Sequence, residues 1–298
     1  MFDIIIIGAG PAGLTSAIYG LRAGKKVLVL EGKAYGGQII NAEMVENYPG
    51  MPKISGVELA TNMYNQVKDL GGEVKFEKVV KITDGKIKSV KTDEGTYQAK
   101  AVIIATGAEN RKLGIEREKE LTGKGVSYCA TCDGHFYKGK DVVVVGGGNT
   151  ALQDALYLSN LVNKVCIVHR RDEFRGDYAN VAALKKRKNV ELVLKANVIE
   201  LKGEPKLEEV VVKDDSGEIK NIPASGIFMA VGYVPQNEAF SDVVKLDEAG
   251  YIQTEDGVHT SASGIYVAGD ARAKELKQLT TAVSDGSIAA DTAVKEMK

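Results

Sequence analysis

The sequence predicts an α/β protein of two parallel-sheet domains, the second inserted into the first. Two observations carry this expectation. The stretch Asp3–Glu31 (DIIIIGAGPAGLTSAIYGLRAGKKVLVLE) recurs without a gap as Asp141–His169 (DVVVVGGGNTALQDALYLSNLVNKVCIVH). In each copy four β-branched residues run into a glycine turn, a helical stretch follows, and a second apolar run closes the unit. That order is a parallel strand–helix–strand crossover. Outside the second copy, Lys100–Gly107 (KAVIIATG) and Gly264–Asp270 (GIYVAGD) share a strand-to-turn character and bracket it.

The turn of the first copy reads Gly8-x-Gly10-x-x-Gly13, with Pro11 and Ala12 inside it; the second reads Gly146-x-Gly148-x-x-Ala151. This is the pattern of a Rossmann-like dinucleotide-binding turn. The first glycine permits the tight turn, and the second lets the backbone approach a pyrophosphate. The third position must be small for helix–strand packing, and the phosphates sit at the helix N-terminus. One such pattern is a weak signal. Two in register, each placed between strand and helix, are specific. Two Rossmann-like dinucleotide-binding domains are therefore expected.

The ends of the two copies differ, and the difference separates their ligands. Glu31 closes the first where a carboxylate can accept hydrogen bonds from an unphosphorylated adenosine ribose, as in FAD or NAD. At the equivalent place the second copy has His169-Arg170-Arg171, followed by Arg175. Guanidinium groups pair with phosphate in forked geometry, so this cluster suits the 2′-phosphate of NADPH. The run Lys185–Lys188 reads instead as a solvated helix end.

Further strands are expected around Val190–Leu201, Glu208–Val212 and Ile227–Gly232, the last broken by Pro235. The expected domains are residues 1–113 plus 241–298, discontinuous, and the inserted 114–240.

Just upstream of the second glycine strand stands Ser127-Tyr128-Cys129-Ala130-Thr131-Cys132-Asp133-Gly134. Two cysteines two residues apart can close a small disulfide and lower a thiol pKa by mutual stabilisation. Exchange then proceeds through a mixed disulfide. Asp133 is a candidate general acid/base. Structural zinc needs four ligands, and only Cys166, His135, His169 and His259 remain to supply them. Cys166 falls in an expected strand and reads as an inert buried thiol.

Composition narrows the classes. Lys+Arg 39 against Asp+Glu 40 gives net charge -1, which offers no field for nucleic acid or an anionic membrane. No apolar run approaches the roughly 18 residues of a spanning helix, and three cysteines are too few for a secreted disulfide scaffold. A cytoplasmic protein is expected.

With these residues in place, the chain resembles the low-molecular-weight (bacterial-type) thioredoxin reductases almost end to end. The shared motifs are GAGPAG, Gly36-Gly37-Gln38, Glu46-Asn47-Tyr48-Pro49-Gly50, ATGA, CATCDG, GGGNTA, HRRDEFR and a terminal AGD. The resemblance implies a homodimeric flavoprotein that passes electrons from NADPH through FAD and Cys129–Cys132 to thioredoxin. It implies that Gly8, Gly10, Pro11, Ala12, Gly13 and Glu31 hold FAD together with Gly36, Gly37, Gln38 and Asn47. Thr106 and Gly107 of ATGA would join them, as would Gly269, Asp270, Lys277, Gln278 and Leu279 from the C-terminal segment. Gly148, Asn149 and Thr150 would bind NADPH with His169, Arg170, Arg171 and Arg175.

Cys129 is then the thiol that attacks the partner, Cys132 the thiol facing the flavin, and Asp133 its proton donor. A rotation of the inserted domain is implied to bring nicotinamide and disulfide to the flavin in turn. Two positions depart from the family pattern: Gln153-Asp154 stands where two glutamates are expected, and Lys277 where an arginine is. The alternative is the same fold with another donor or acceptor, such as ferredoxin or a small dithiol. The intact GGGNTA and HRRDEFR motifs speak against it.

Overall fold

A computed structural model describes residues 1–42 and 44–297. The chain opens with β1 (Phe2–Ile7), α1 (Pro11–Arg22) and β2 (Val27–Leu30). Proline at the first position of α1 uses a site where its missing N–H costs nothing. α2 (Gly56–Asp69) is capped by Ser55, whose Oγ accepts from Glu58 N at 3.1 Å. Then follow β3 (Glu73–Lys75), β4 (Val79–Thr83), β5 (Lys88–Thr92), β6 (Thr96–Ile104) and β7 (Ala108–Asn110).

The middle of the chain holds β8 (Val126–Ser127), the one-turn α3 (Ala130–Asp133), β9 (Asp141–Val145), α4 (Asn149–Leu158) and β10 (Lys164–His169). It continues with α5 (Tyr178–Lys185), β11 (Val190–Leu194), β12 (Ala196–Lys202), β13 (Glu209–Asp214), β14 (Ile219–Pro223) and β15 (Gly226–Met229). β16 (Tyr233–Pro235), β17 (Ile265–Val267) and α6 (Leu279–Glu296) complete it.

Two compact units result, Met1–Glu109 with Val234–Lys298, and Asn110–Tyr233. In the first, the sheet runs β3-β2-β1-β6-β5-β4, with β17 also on β6. The strands β3, β2, β1, β6 and β17 pair in parallel, and β4 and β5 add an antiparallel wing. In the second, a parallel sheet runs β11-β10-β9-β15-β8, beside a three-stranded antiparallel sheet β12-β13-β14. The internal repeat is exact in register: Ile4 pairs with Val27, and their counterparts Val142 and Val165 pair likewise.

The unbroken β-branched runs follow from burial on both sheet faces. Ile4 and Ile6 enter one cluster while Ile5 and Ile7 enter the other. Val143 and Val145 part from Val142 and Val144 in the same way. The expected strand over Val190–Leu201 is two strands of different sheets. Lys195 takes φ 53, a left-handed turn that no local residue pattern announces.

In the first unit α1 and α6 pack backbone against backbone. A Cβ on Gly286 would lie 2.3 Å from Ala12 O. Ser16 Oγ shares its proton between Ala12 O at 2.9 Å and Gly286 O at 3.0 Å. The end of α6 is tied down by polar groups: His259 joins Asp256 through Nδ1 and Glu296 through Nε2, and Tyr266 donates to Glu296 at 2.7 Å. Glu296 and Asp256 raise the His259 pKa, while hydrogen bonds from His259, its backbone N–H first, hold Asp256 down to about 2. Among the described residues no helix is long and apolar enough to cross a membrane.

Gly286→Ala is expected to cost roughly 1–3 kcal/mol through overpacking, read as a lowered midpoint in urea unfolding. Because the folded-state pKa of His259 is raised, its contribution is full below the unfolded value of about 6.5 and is lost as pH rises through the folded value. The stability gap between wild type and His259→Gln, followed by thermal unfolding, is expected to be largest near pH 6 and to shrink toward about pH 9.

Candidate active site

The cysteine pair sits where a sheet strand hands over to a single helical turn. Cys129 caps that turn with an extended backbone, and its Sγ accepts from Cys132 N at 3.2 Å. The two sulfurs form a disulfide with Cα atoms 5.3 Å apart. Asp133 N donates to Cys129 O at 3.1 Å, which closes the turn. Ser127, the last residue of β8 and 4% exposed, accepts from Cys129 N at 3.1 Å and donates from Oγ to Asp133 Oδ2 at 2.6 Å.

On the other side of Cys129, Tyr128 OH donates to Glu118 at 2.7 Å. That buried carboxylate also accepts from Leu113 N at 3.1 Å and Gly114 N at 2.8 Å. Desolvation, then the Glu118 hydrogen bond, pushes the Tyr128 phenol well up, so it remains a donor. Gly134 lets the turn rest on α4, since a Cβ there would lie 2.9 Å from Leu158 Cδ2. Cys166 is buried in β10, and burial pushes its thiol up to about 12, which leaves it un-ionised and inert.

In the first unit the glycine turn forms a cradle of bare backbone. Gly8 has φ 107, and a Cβ there would strike Ala105 O at 2.4 Å; one on Gly13 would strike Gly8 O at 1.8 Å. Gly10 is different: a Cβ would meet only Gly37 Cα, at 3.8 Å. It caps α1 without a side-chain hydrogen bond, which leaves the helix N–H groups to a ligand anion. Gly36 N donates to Ala9 O at 2.7 Å, bringing Gly36 and Gly37 over this turn, with Gln38 exposed beyond them. Glu31 Oε2 accepts from Ala9 N and Oε1 from Lys33 N, both at 2.8 Å. Its carboxylate is thus fixed by backbone while retaining lone pairs for ribose hydroxyls.

The C-terminal segment reaches the same place. Gly269, at φ 73, would put a Cβ 2.8 Å from that of Ala12. Asn47 Nδ2 donates to Gln278 Oε1 at 3.3 Å, joining two sequence-predicted residues from opposite ends of the chain. Gln278 caps α6, whose first residue is Leu279. Asp270 Oδ1 lies 3.0 Å from Lys274 Nζ, an ion pair without good hydrogen-bond alignment. Lys277 Nζ donates to Lys274 O at 3.2 Å and lies 4.3 Å from the centre of the Tyr251 ring; burial lowers its pKa. Thr106 precedes Gly107, which has φ 68 and open space around its Cα; its hydroxyl donates to Asn237 Oδ1 at 2.9 Å. The residues fit a dinucleotide with a free ribose.

The second unit repeats the cradle with one change. Gly148 caps α4 with open space over it, and Asn149 and Thr150 stand exposed at the helix start. Asn149 Oδ1 accepts from Asp177 N at 2.6 Å, and Arg175 N donates to Gly147 O at 2.7 Å, so the arginine loop folds back onto the glycine turn. Arg170, Arg171 and Arg175 are exposed. His169 is not with them. It is 5% exposed, stacks on Phe174 at 5.4 Å, and its ring fills the space a Cβ on Gly147 would need. Burial, and then the arginine charges, lower its pKa, opposed by its hydrogen bond to Glu173 O. It braces the loop as a neutral ring, and the arginines carry the charge. Asp154 on α4 is pushed up to about 7 by burial, while Gln153 is exposed.

Several residues that hold these sites lie outside every motif. Asn237 donates to Gly250 O at 3.0 Å and Ala271 O at 2.7 Å while it accepts from Thr106. Asp285, buried on α6, takes Arg272 in a fork at 2.9 and 3.0 Å, Lys274 at 3.1 Å and Gly269 N at 3.1 Å. Ser127 and Glu118 do the same for the disulfide turn.

Comparison with known proteins agrees with this geometry. Residues 2–286 match the profile of the family described as pyridine nucleotide-disulphide oxidoreductase. The chain is 43% identical over 304 residues to a thioredoxin reductase of Peptoclostridium acidaminophilum, covering 99% of this chain and 96% of that one. It is 44% identical over 295 residues to the thioredoxin reductase of Bacillus subtilis, covering 98% and 93%. The crystal structure of thioredoxin reductase from Streptococcus pyogenes is similar with TM-score 0.94 at 40% identity, over 99% of this chain and 97% of that one. With a disulfide turn and two dinucleotide cradles of its own, the chain belongs to the pyridine nucleotide-disulphide oxidoreductase family, alongside the thioredoxin reductases.

Proposed function

We propose that this oxidoreductase reduces the disulfide of thioredoxin with electrons from NADPH, carried by FAD to Cys129–Cys132. The observation that carries this reading is the disulfide itself, closed inside a turn whose last residue is a carboxylic acid. FAD is assigned to the cradle of Gly8, Gly10 and Glu31 with Gln38, Asn47, Asp270 and Gln278. NADPH is assigned to Gly148, Thr150 and the exposed Arg170, Arg171 and Arg175. On this reading residues 1–113 plus 241–298 form the FAD domain and 114–240 the NADPH domain, in a cytoplasmic homodimer. When bound, the two cofactors supply the hydride transfer and two-electron storage that no side chain provides.

The side chains around the sulfurs divide the exchange work. In the disulfide, Cys132 N donates to Cys129 Sγ at 3.2 Å and Thr131 Oγ1 lies 3.4 Å from the same sulfur. Hydrogen bonds to the ionised form favour a thiolate, so Cys129 is the attacking sulfur and Cys132 resolves the mixed disulfide. Asp133 stands next in the chain to take and return the proton. In the NADPH cradle, His169 sets the loop and the two arginines beyond it grip the 2′-phosphate.

Anaerobic titration of the flavin-loaded protein tests the whole path. NADPH is expected to bleach the flavin absorbance and oxidised thioredoxin to restore it. Bleaching by reduced ferredoxin or a dithiol, with none by NADPH, would transfer the chain to the alternative donors. Cys129→Ser is expected to lower thioredoxin reduction by roughly three orders of magnitude or more, in a steady-state assay. Replacing Arg170 and Arg171 together by Ala is expected to weaken NADPH use about tenfold or more with little change for NADH. The ratio of the two kcat/KM values reads this directly.

A further inference from the structure

We propose that the basic end of the second unit, where Lys138 and Lys140 meet the run Lys185–Lys188, is a docking surface. Its occupant is a small disulfide protein with an acidic surface, captured there before its disulfide exchanges with Cys129. The inference rests on reduction of a protein disulfide and goes beyond it by naming where that protein first binds and which charge it presents.

In sequence, Lys185–Lys188 reads as a solvated helix end. The fold adds two lysines from a distant segment and joins the groups through the turn between α4 and β10. On one side of this turn Gly139 N donates to Leu161 O at 3.1 Å, and Asn163 N donates to Lys140 O at 2.8 Å. On the other, Arg187 Nη1 donates to Asn160 Oδ1 and Asn189 Nδ2 to Ser159 O, both at 2.9 Å. Lys138, Lys140 and all four residues of the run are exposed.

The carboxylates at this end are already engaged. Glu191 is shared by Lys164 at 2.7 Å and Lys220 at 2.5 Å, and Asp141 accepts from Asn163 Nδ2 at 2.6 Å. Among the described residues, none of the six exposed cations forms an ion pair. The chain as a whole has net charge -1, so the excess is local. Such a surface attracts an anionic partner and repels a cationic one.

The coenzyme cradle is elsewhere. β9 and β10 run parallel, so the glycine turn and the arginine loop follow their carboxyl ends. The lysines stand at the amino ends, before β9 and β11. A strand the length of β9 holds the two ends about 15 Å apart.

The disulfide, by contrast, leads to this surface along an exposed strip. From Cys129 the chain passes in helical turns along α4, with Gly134 against Leu158, and arrives at Lys138. Thr131, His135 and Phe136 are exposed on the way. At helical rise this path spans at most about 18 Å. A protein of about 100 residues has a radius of gyration of about 13 Å, so one docked on Cys129 reaches the lysines as well. Charges beside the reacting group speed encounter and leave the chemical step alone.

The test uses the flavin-loaded full chain, NADPH and an oxidised thioredoxin of net negative charge. Its kcat/KM is expected to fall about tenfold as ionic strength rises from about 20 to about 300 mM. Lys185→Glu/Lys186→Glu/Lys188→Glu is expected to lose about tenfold at low salt through KM, with kcat within about twofold and a flattened salt response. Lys138→Glu/Lys140→Glu should behave alike, and arginine at the same positions should keep wild-type behaviour. Flavin content certifies the fold, and KM for NADPH with a neutral quinone as acceptor should not change. Wild-type kcat/KM and salt response in both glutamate variants would overturn the proposal. So would an equal loss with the quinone, which would assign the lysines to coenzyme capture. Wild-type protein that turns over the quinone but not thioredoxin would instead remove the reading on which the proposal rests.

Discussion

Backbone must touch backbone in the glycine turns, and the architecture of both units depends on that contact. In the first turn the Cα of Gly13 lies so close to Gly8 O that a Cβ would sit 1.8 Å from it. The second turn is looser by one methyl, for Ala151 stands at the third position and its Cβ would be 2.8 Å from one on Gly146. Only this closeness drops each helix start onto the end of its strand, where the N–H groups converge on one point. Once it is in place, Gly36, Gly37 and the Gly269 turn can stack over the first cradle, and the arginine loop can fold onto the second.

A second rule recurs at a larger scale. The loops around the sites are held by carboxylates that accept backbone N–H groups. Glu31 takes two, Glu118 two and a phenol, and Asp285 one along with a guanidinium and an ammonium. A half-buried carboxylate is costly unless its lone pairs are filled. Filling them from the main chain turns that requirement into precision, because the donors cannot swing away. Ser127 applies the same logic with a hydroxyl.

Much of this was legible in the residues and some was not. The strands and the repeat were readable because burial on both faces demands unbroken apolar runs, and Ile4–Ile7 and Val142–Val145 supply them. Glu31 was readable from its place after β2. Asn237 was not, because its three partners lie 131, 13 and 34 residues away and nothing local marks it. Asp285 sits mid-helix, where an acidic residue reads as solvated surface until Arg272 and Lys274 are brought to it. His169 reads with the arginines in one dimension, but it is the last residue of β10, which is buried from Val165 to His169, and exposure begins only at Arg170 in the loop beyond the strand. Lys195 broke a single expected strand into two because its left-handed backbone is imposed by tertiary bonds from both sides, Lys195 N to Arg171 O and Asp215 N to Lys195 O.

The burial of Cys166 has a practical corollary. Its sulfur is sealed in β10 with an un-ionised thiol, while the other two cysteines share a partly buried turn. Alkylation of the native protein therefore works as a two-state counter. An oxidised molecule takes up no label, a reduced one takes up two, and a third appears only when the chain is unfolded. The mass of the labelled protein thus reports the oxidation state of the working pair without subtraction, and any signal from the third thiol is a measure of damage to the fold.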